Sequence, residues 1–146
     1  MSTTTATFTD LLRHPKTVLE SVESGFLRIT RRDAEDLVIL RAPDLENLVE
    51  GIKLASQIMR AAAQSGDMAD ALSTLYAWTG EFNEHERVEF GHEIEKLVYS
   101  AAELGHYESL IRAIAEWKET AAAYAQGIRT DDDLDWIDSP PRVPRP

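Results

Sequence analysis

Two Glu-x-x-His pairs, Glu89 with His92 and Glu103 with His106, are the residues of this chain whose type and spacing come nearest to metal chemistry. In carboxylate-bridged di-iron bundles such pairs sit on two helices, and two further glutamates complete the site. Here His92 falls in mid-helix and His106 lies just past Gly105, so the pairs start from opposite ends of a helical hairpin and need not face each other. They read as a solvated polar face. His85 lacks the second histidine four residues on that a zinc protease helix requires, because Glu89 occupies that place. There is no phosphate-cradling glycine loop, no serine or threonine in a nucleophile elbow and no cysteine. No catalytic residue, metal or cofactor is expected, and the chain reads as a non-enzyme.

A second set of residues suits binding. Arg13, Lys16, Arg28, Arg31, Arg32 and Arg41 supply six cations within 29 residues, matched by six acids over residues 1–42. Arginines projecting from a strand end and a rigid connection can reach phosphates, which makes Arg28, Arg31 and Arg32 one candidate patch and Arg13 with Lys16 another. Both patches doubled in a dimer would span adjacent stretches of duplex. Trp136, flanked by Leu134 and Ile137 in an acidic tail, is the kind of short amphipathic element that folds onto a basic partner.

The elements that position these residues divide near Gly66. Residues 1–66 carry net charge −1 and residues 67–146 carry −10, together the −11 of the whole chain. Only the front part can face a polyanion, since the acidic remainder repels nucleic acid and anionic membranes. At 146 residues and 43% apolar, the chain suits one compact domain or two small ones sharing a helix. The absence of cysteine fits a reducing compartment, and no apolar run approaches the ~20 residues that span a bilayer, so a cytoplasmic protein without membrane contact is expected.

Along the front part, residues 4–8 read as a strand and Asp10 to Ser24 as a helix with Pro15 in the first turn of its main run. Phe26 to Ile29 and Leu37 to Leu40 then read as a β-hairpin closed by residues 31–36. Pro43 opens a long helix as far as Ala63, with apolar residues at three- and four-residue steps. Three strands and two helices from about 60 residues make a thin core, which is marginal unless the sheet or the long helix buries an apolar face against a second copy. A homodimer or higher oligomer is therefore expected.

Three helices follow. The first runs from Met68 and stops at Gly80, the second opens at the cap pair Asn83 and Glu86 and ends at Leu104-Gly105, and the third runs from Tyr107 to Gly127. Trp78, Trp117 and Tyr124 sit beside leucines at helical spacing and read as core. The expected organisation is α+β: a β-α-β-β-α dimerisation module over 1–65, a three-helix subdomain over 66–127 and an acidic, proline-rich tail over 128–146.

That order, with FTDLLRHPKTVLESVESG, then FLRITRR, then DLVILRAPDLENL, resembles the Phd/YefM family of prevent-host-death antitoxins over roughly residues 4–60. The stretch 105–125, through Gly105, Tyr107, Trp117, Thr120 and Ala121, resembles the helical extension of some actinobacterial members. The resemblance implies a dimeric antitoxin whose front module binds operator DNA and represses its own operon, while the later region neutralises a cognate toxin. It also implies that Arg31, the arginine after Ile29-Thr30, and Arg13 in the first helix contact DNA. The chain departs from the pattern in having Asp33-Ala34-Glu35-Asp36 where a glycine is usual, and in having His14-Pro15 after Arg13. Those acids would weaken phosphate binding beside Arg31 and Arg32. A rival reading is a dimeric interaction module that holds a protein other than a toxin and binds no DNA.

Overall fold

The computed structural model describes residues 2–129 and shows a mixed α+β chain in which a three-stranded sheet is followed by a helical bundle. Strand β1 (Ser2–Thr7) is threonine-rich, and β-branched side chains suit a pleated, half-buried surface. It ends where Thr7 caps helix α1 (Phe8–Arg13): the Thr7 hydroxyl accepts from the Asp10 amide at 3.1 Å while the Asp10 carboxylate accepts from the Thr7 amide at 3.1 Å. The expected single helix from Asp10 to Ser24 is broken. His14 leaves helical space at φ −133° and ψ 56°, as the clash with a following proline ring demands, and Pro15 then opens helix α2 (Pro15–Glu20), which tightens into a 3-10 turn over Ser21–Ser24.

Strand β2 (Gly25–Thr30) lies in the middle of the sheet, parallel to β1 and antiparallel to β3 (Leu37–Ile39). The chain is mixed α+β with the second and third strands antiparallel, as the sequence predicts, but two helices stand between the first two strands where one is expected. Alternation along β2 sends Leu27 and Ile29, both fully buried, against Val18 and Val22 of the α2 segment, with Ala6, Leu11 and Ile39 around them. This is the front core, and it is small.

Helix α3 (Ala42–Ser65) starts at the Arg41–Asp44 bidentate pair, Nε to Oδ2 at 2.8 Å and Nη2 to Oδ1 at 2.9 Å, and stops at Gly66 in the left-handed region at φ 76°. Its second half belongs to the rear core. Ala55 and Ile58 pack with Met68 and Leu72 of α4 (Met68–Leu75), with Phe90, Ile94 and Val98 of α5 (Glu84–Leu104), and with Leu110 and Ala113 of α6 (Glu108–Ala125). Helix α4 ends at Leu75, five residues before the expected stop at Gly80. Tyr76 is extended there, and a 3-10 turn over Ala77–Glu81 folds Trp78 back onto Phe82 and Phe90 at centroid distances of 5.9 and 5.4 Å.

The Asn83–Glu86 capping box at the start of α5 is present, with bonds of 2.9 and 2.8 Å, and Gly105 closes the helix at φ 67°. Two close approaches set the helix packing. Gly91 of α5 lies against Ala69, and Gly51 of α3 faces the Tyr107 side chain so closely that a Cβ there would collide with Tyr107 Cβ and Cγ. Trp117 and Tyr124 join the aromatic cluster through Phe82 and Phe90, and both polar tips are satisfied: the Trp117 indole donates to Glu93 at 2.7 Å and the Tyr124 hydroxyl to Glu86 at 2.8 Å. Trp78 and Trp117 pack half-buried against the rear core, and Tyr124 is half-buried beside Phe82, so the expectation that these aromatics are core holds in part.

Candidate nucleic-acid interface

The sheet register fixes where the candidate arginines go. Thr7 pairs with Thr30, so β1 and β2 end together, and the first turn of α1 comes to lie beside the segment that leaves β2. Thr7, Phe8, Thr9, Thr30, Arg31, Arg32 and Asp33 line a surface cleft of about 540 Å³ at this end of the sheet. Arg32 is exposed and Arg31 half-buried. The Arg31 Nε donates to the Glu35 carbonyl at 2.7 Å, which braces the connection to β3 and takes one of the five guanidinium N–H groups. The rest of the fork suits an oxyanion presented at the cleft.

Arg28 does not join this cleft. Expected at a strand end with Arg31 and Arg32, it is in mid-strand, directly opposite Val38 of β3. Its neighbours Leu27 and Ile29 point into the front core, so Arg28 extends from the other face of the sheet. There its Nε donates to Asp36 at 2.8 Å, and the pair is largely solvent-exposed. The single hairpin patch therefore splits into an Arg31–Arg32 cleft and an Arg28–Asp36 pair. Arg13, the last residue of α1, and Lys16, in the first turn of α2, are both exposed, and neither lines the cleft. The break at His14 places them on two short helices where a single helix was expected.

Of the acids in the connection, Asp33 lines the cleft itself, Asp36 holds Arg28, and Glu35 contributes its carbonyl to Arg31. Two other carboxylates are committed to helix starts. The Thr7 hydroxyl and amide hold Asp10 below the usual carboxylate range, and the Arg41 guanidinium does the same for Asp44.

A groove of about 600 Å³ corresponds to none of the candidate sites expected from the sequence. It runs between the Arg28 face of the sheet and the turn from α5 to α6, lined by Phe26, Val38, Leu48, Leu104, His106 and Tyr107 among others. One of its walls is fixed where Gly51 lets Tyr107 approach α3. Glu89, His92, Glu103 and His106 are all exposed, and among the described residues no three His, Asp or Glu side chains are grouped to hold a metal ion. No helix among the described residues is long and apolar enough to cross a membrane. Leu134, Trp136 and Ile137 lie outside the described residues. Compared with protein-family models, curated proteins and solved structures, the chain matches none of them.

Proposed function

We propose that this chain is a Phd/YefM-type antitoxin: a homodimeric, DNA-binding autorepressor that also neutralises a cognate toxin by protein–protein binding. The observation that carries the reading is the β-α-β-β-α module ending in a cleft that presents Arg31 and Arg32 beside the first turn of α1. In this reading Arg31 and Arg32 make the central phosphate contacts. Arg13 and Lys16 extend the positive surface along α1 and α2, and Arg28 is a minor contributor because Asp36 already holds it. The region after α3 engages the toxin, with Leu134, Trp136 and Ile137 as contacts. Its net charge of −10 suits the basic surface of a toxin that acts on RNA.

The test is binding of the full chain to the duplex upstream of its own gene across a salt series, with Arg31→Ala alongside. Salt-dependent binding is expected, and a dimer that loses two phosphate contacts should show a slope of log K against log salt smaller by ~2. No binding at low salt would remove the repressor half of the reading.

One observation favours a second reading, a dimeric interaction module that binds a non-toxin protein and no DNA. Asp33 stands in the cleft and Asp36 neutralises Arg28, so the local positive charge is reduced at both faces. Expression of the neighbouring gene alone separates the two. The antitoxin reading expects toxicity that this chain relieves, and the interaction module expects none.

A further inference from the structure

Helix α3 carries a second apolar stripe that its own chain does not cover. Gly51, Ala55 and Ile58 face the protein interior, whereas Leu45, Val49, Ile52 and Met59 are 48, 44, 46 and 43% exposed. With the exposed Ser56 and Ala63 they form the series 45, 49, 52, 56, 59, 63, whose steps alternate between four and three. That is the 3.5-residue period of a coiled-coil seam, narrower than the stripe a helix needs to pack on its own domain. On 24 residues it extends over nearly all of a helix ~36 Å long.

We infer that this seam is the dimer interface, with α3 of a second copy packed against it in antiparallel orientation about a two-fold axis near residue 54. The inference rests on the homodimer in the proposed function and on neither DNA nor toxin. Three features select a second copy and this direction. The first is side-chain size. Antiparallel pairing sets Leu45 against Ala63, Val49 against Met59 and Ile52 against Ser56, each twice, so a larger residue meets a smaller one in every layer. Parallel pairing would stack Ser56 on Ser56 and Ala63 on Ala63 and leave voids. The second is polar satisfaction. The Ser56 hydroxyl donates to the Ile52 carbonyl at 2.7 Å within its own helix, so covering it strands no donor.

The third is charge. Glu46, Lys53 and Arg60 recur every seven residues along the exposed flank of the seam. Glu46 and Arg60 have no ion-pair partner within the chain among the described residues. Antiparallel pairing brings Glu46 beside Arg60 of the second copy, and the two-fold axis repeats the pair. Only Lys53 meets its own kind, near the axis, where its long stem lets the ammonium diverge into water. In a parallel dimer the same flank would face Leu48, Ala55 and Ala62, and no charges would pair.

The test uses sedimentation of the full chain. Ile52→Glu places a carboxylate in two central layers and should weaken the dimer by at least ~100-fold, with an unchanged helical circular dichroism spectrum because Ile52 is not part of the chain's own core. Glu46→Arg alone should weaken it several-fold, and Glu46→Arg with Arg60→Glu in one chain should restore it. Because the chain contains no cysteine, introduced thiols report direction. A mixture of Leu45→Cys and Ala63→Cys chains should cross-link to each other, and neither should cross-link to itself. A dimer that survives Ile52→Glu at full affinity overturns the seam and leaves the homodimer standing. Self-cross-linking of each cysteine variant overturns the direction. A monomeric parent chain overturns both the seam and the homodimer.

Discussion

The front and rear halves of this chain reach order by different means. The front core holds four fully or nearly buried residues, Val18, Val22, Leu27 and Ile29, under a three-stranded sheet whose other face carries exposed Arg28 and Val38. The rear core holds nine, and its aromatic cluster ties α5, α6 and the 3-10 turn together. Since hydrophobic stabilisation scales with the apolar area removed from water, the rear bundle is expected to be the more stable half, and the front module is joined to it in sequence through α3. The division suits the proposed function, because the cationic cleft is on the half with the least core and the acidic surface on the half with the most.

Truncating each core in turn tests that division. Phe90→Ala removes a ring that touches Trp78, Phe82 and Trp117 and should cost about 3–5 kcal/mol. Amide exchange should accelerate throughout α4–α6 and the second half of α3. Leu27→Ala should cost about 3 kcal/mol and release only the sheet with α1 and α2. Since α3 is anchored in the rear core, the proposed α3 dimer should survive Leu27→Ala while the proposed duplex binding is lost. Equal acceleration of exchange across both halves in either variant would mean that the two cores form one cooperative unit.

The joint between the halves is addressed at Gly51. A Gly→Ala change inside a helix ordinarily gains about 1 kcal/mol from propensity. Here the new methyl would collide with Tyr107, and because the nearest colliding atom is its Cβ, which no rotamer change moves, only a backbone shift can clear it. Overpacking of this kind costs about 1–3 kcal/mol, so the collision outweighs the propensity and Gly51→Ala should lower the melting temperature. A higher melting temperature would show that α3 and the α5–α6 turn are not held at this distance in solution.

How much of this could be read from the residues depended on how local each determinant is. The Asn83–Glu86 box and the glycine stop at Gly105 act within one helical turn and fall where the sequence indicates, whereas α3 runs two residues past its expected end at Ala63 before Gly66 closes it. The helix break at His14 is also local, since a residue before proline is steered out of helical space, but the apolar spacing from Leu11 to Val22 points the other way, to one continuous helix. The alternation Leu27-Arg28-Ile29 by itself assigns Arg28 to the face opposite the core. Its pairing with Asp36 was not available, because it depends on the β2–β3 register. The groove beside Tyr107 was hidden for the same reason, as it joins elements more than 50 residues apart in sequence.

The smallest expected effect is that of acid, and it separates the halves by chemistry. Asp10 caps α1 through Thr7 and Asp44 fastens the start of α3 through Arg41, and both carboxyls are held below their ordinary value of 3.8. A carboxyl whose folded value lies below its unfolded one contributes stability that is fully present above the unfolded value. That contribution is lost as pH falls through the folded value, so the window lies below about pH 4. The rear bundle has Glu86 in an equivalent cap, but its nine-residue core does not depend on that one contact. On acidification the front amides should therefore lose exchange protection before those of α5 and α6. Asp10→Asn, which keeps the shape and removes the titration, should move that front transition to lower pH. If the two halves instead lose protection together and Asp10→Asn leaves the midpoint unmoved, the Thr7–Asp10 cap contributes nothing to the acid sensitivity of the front module.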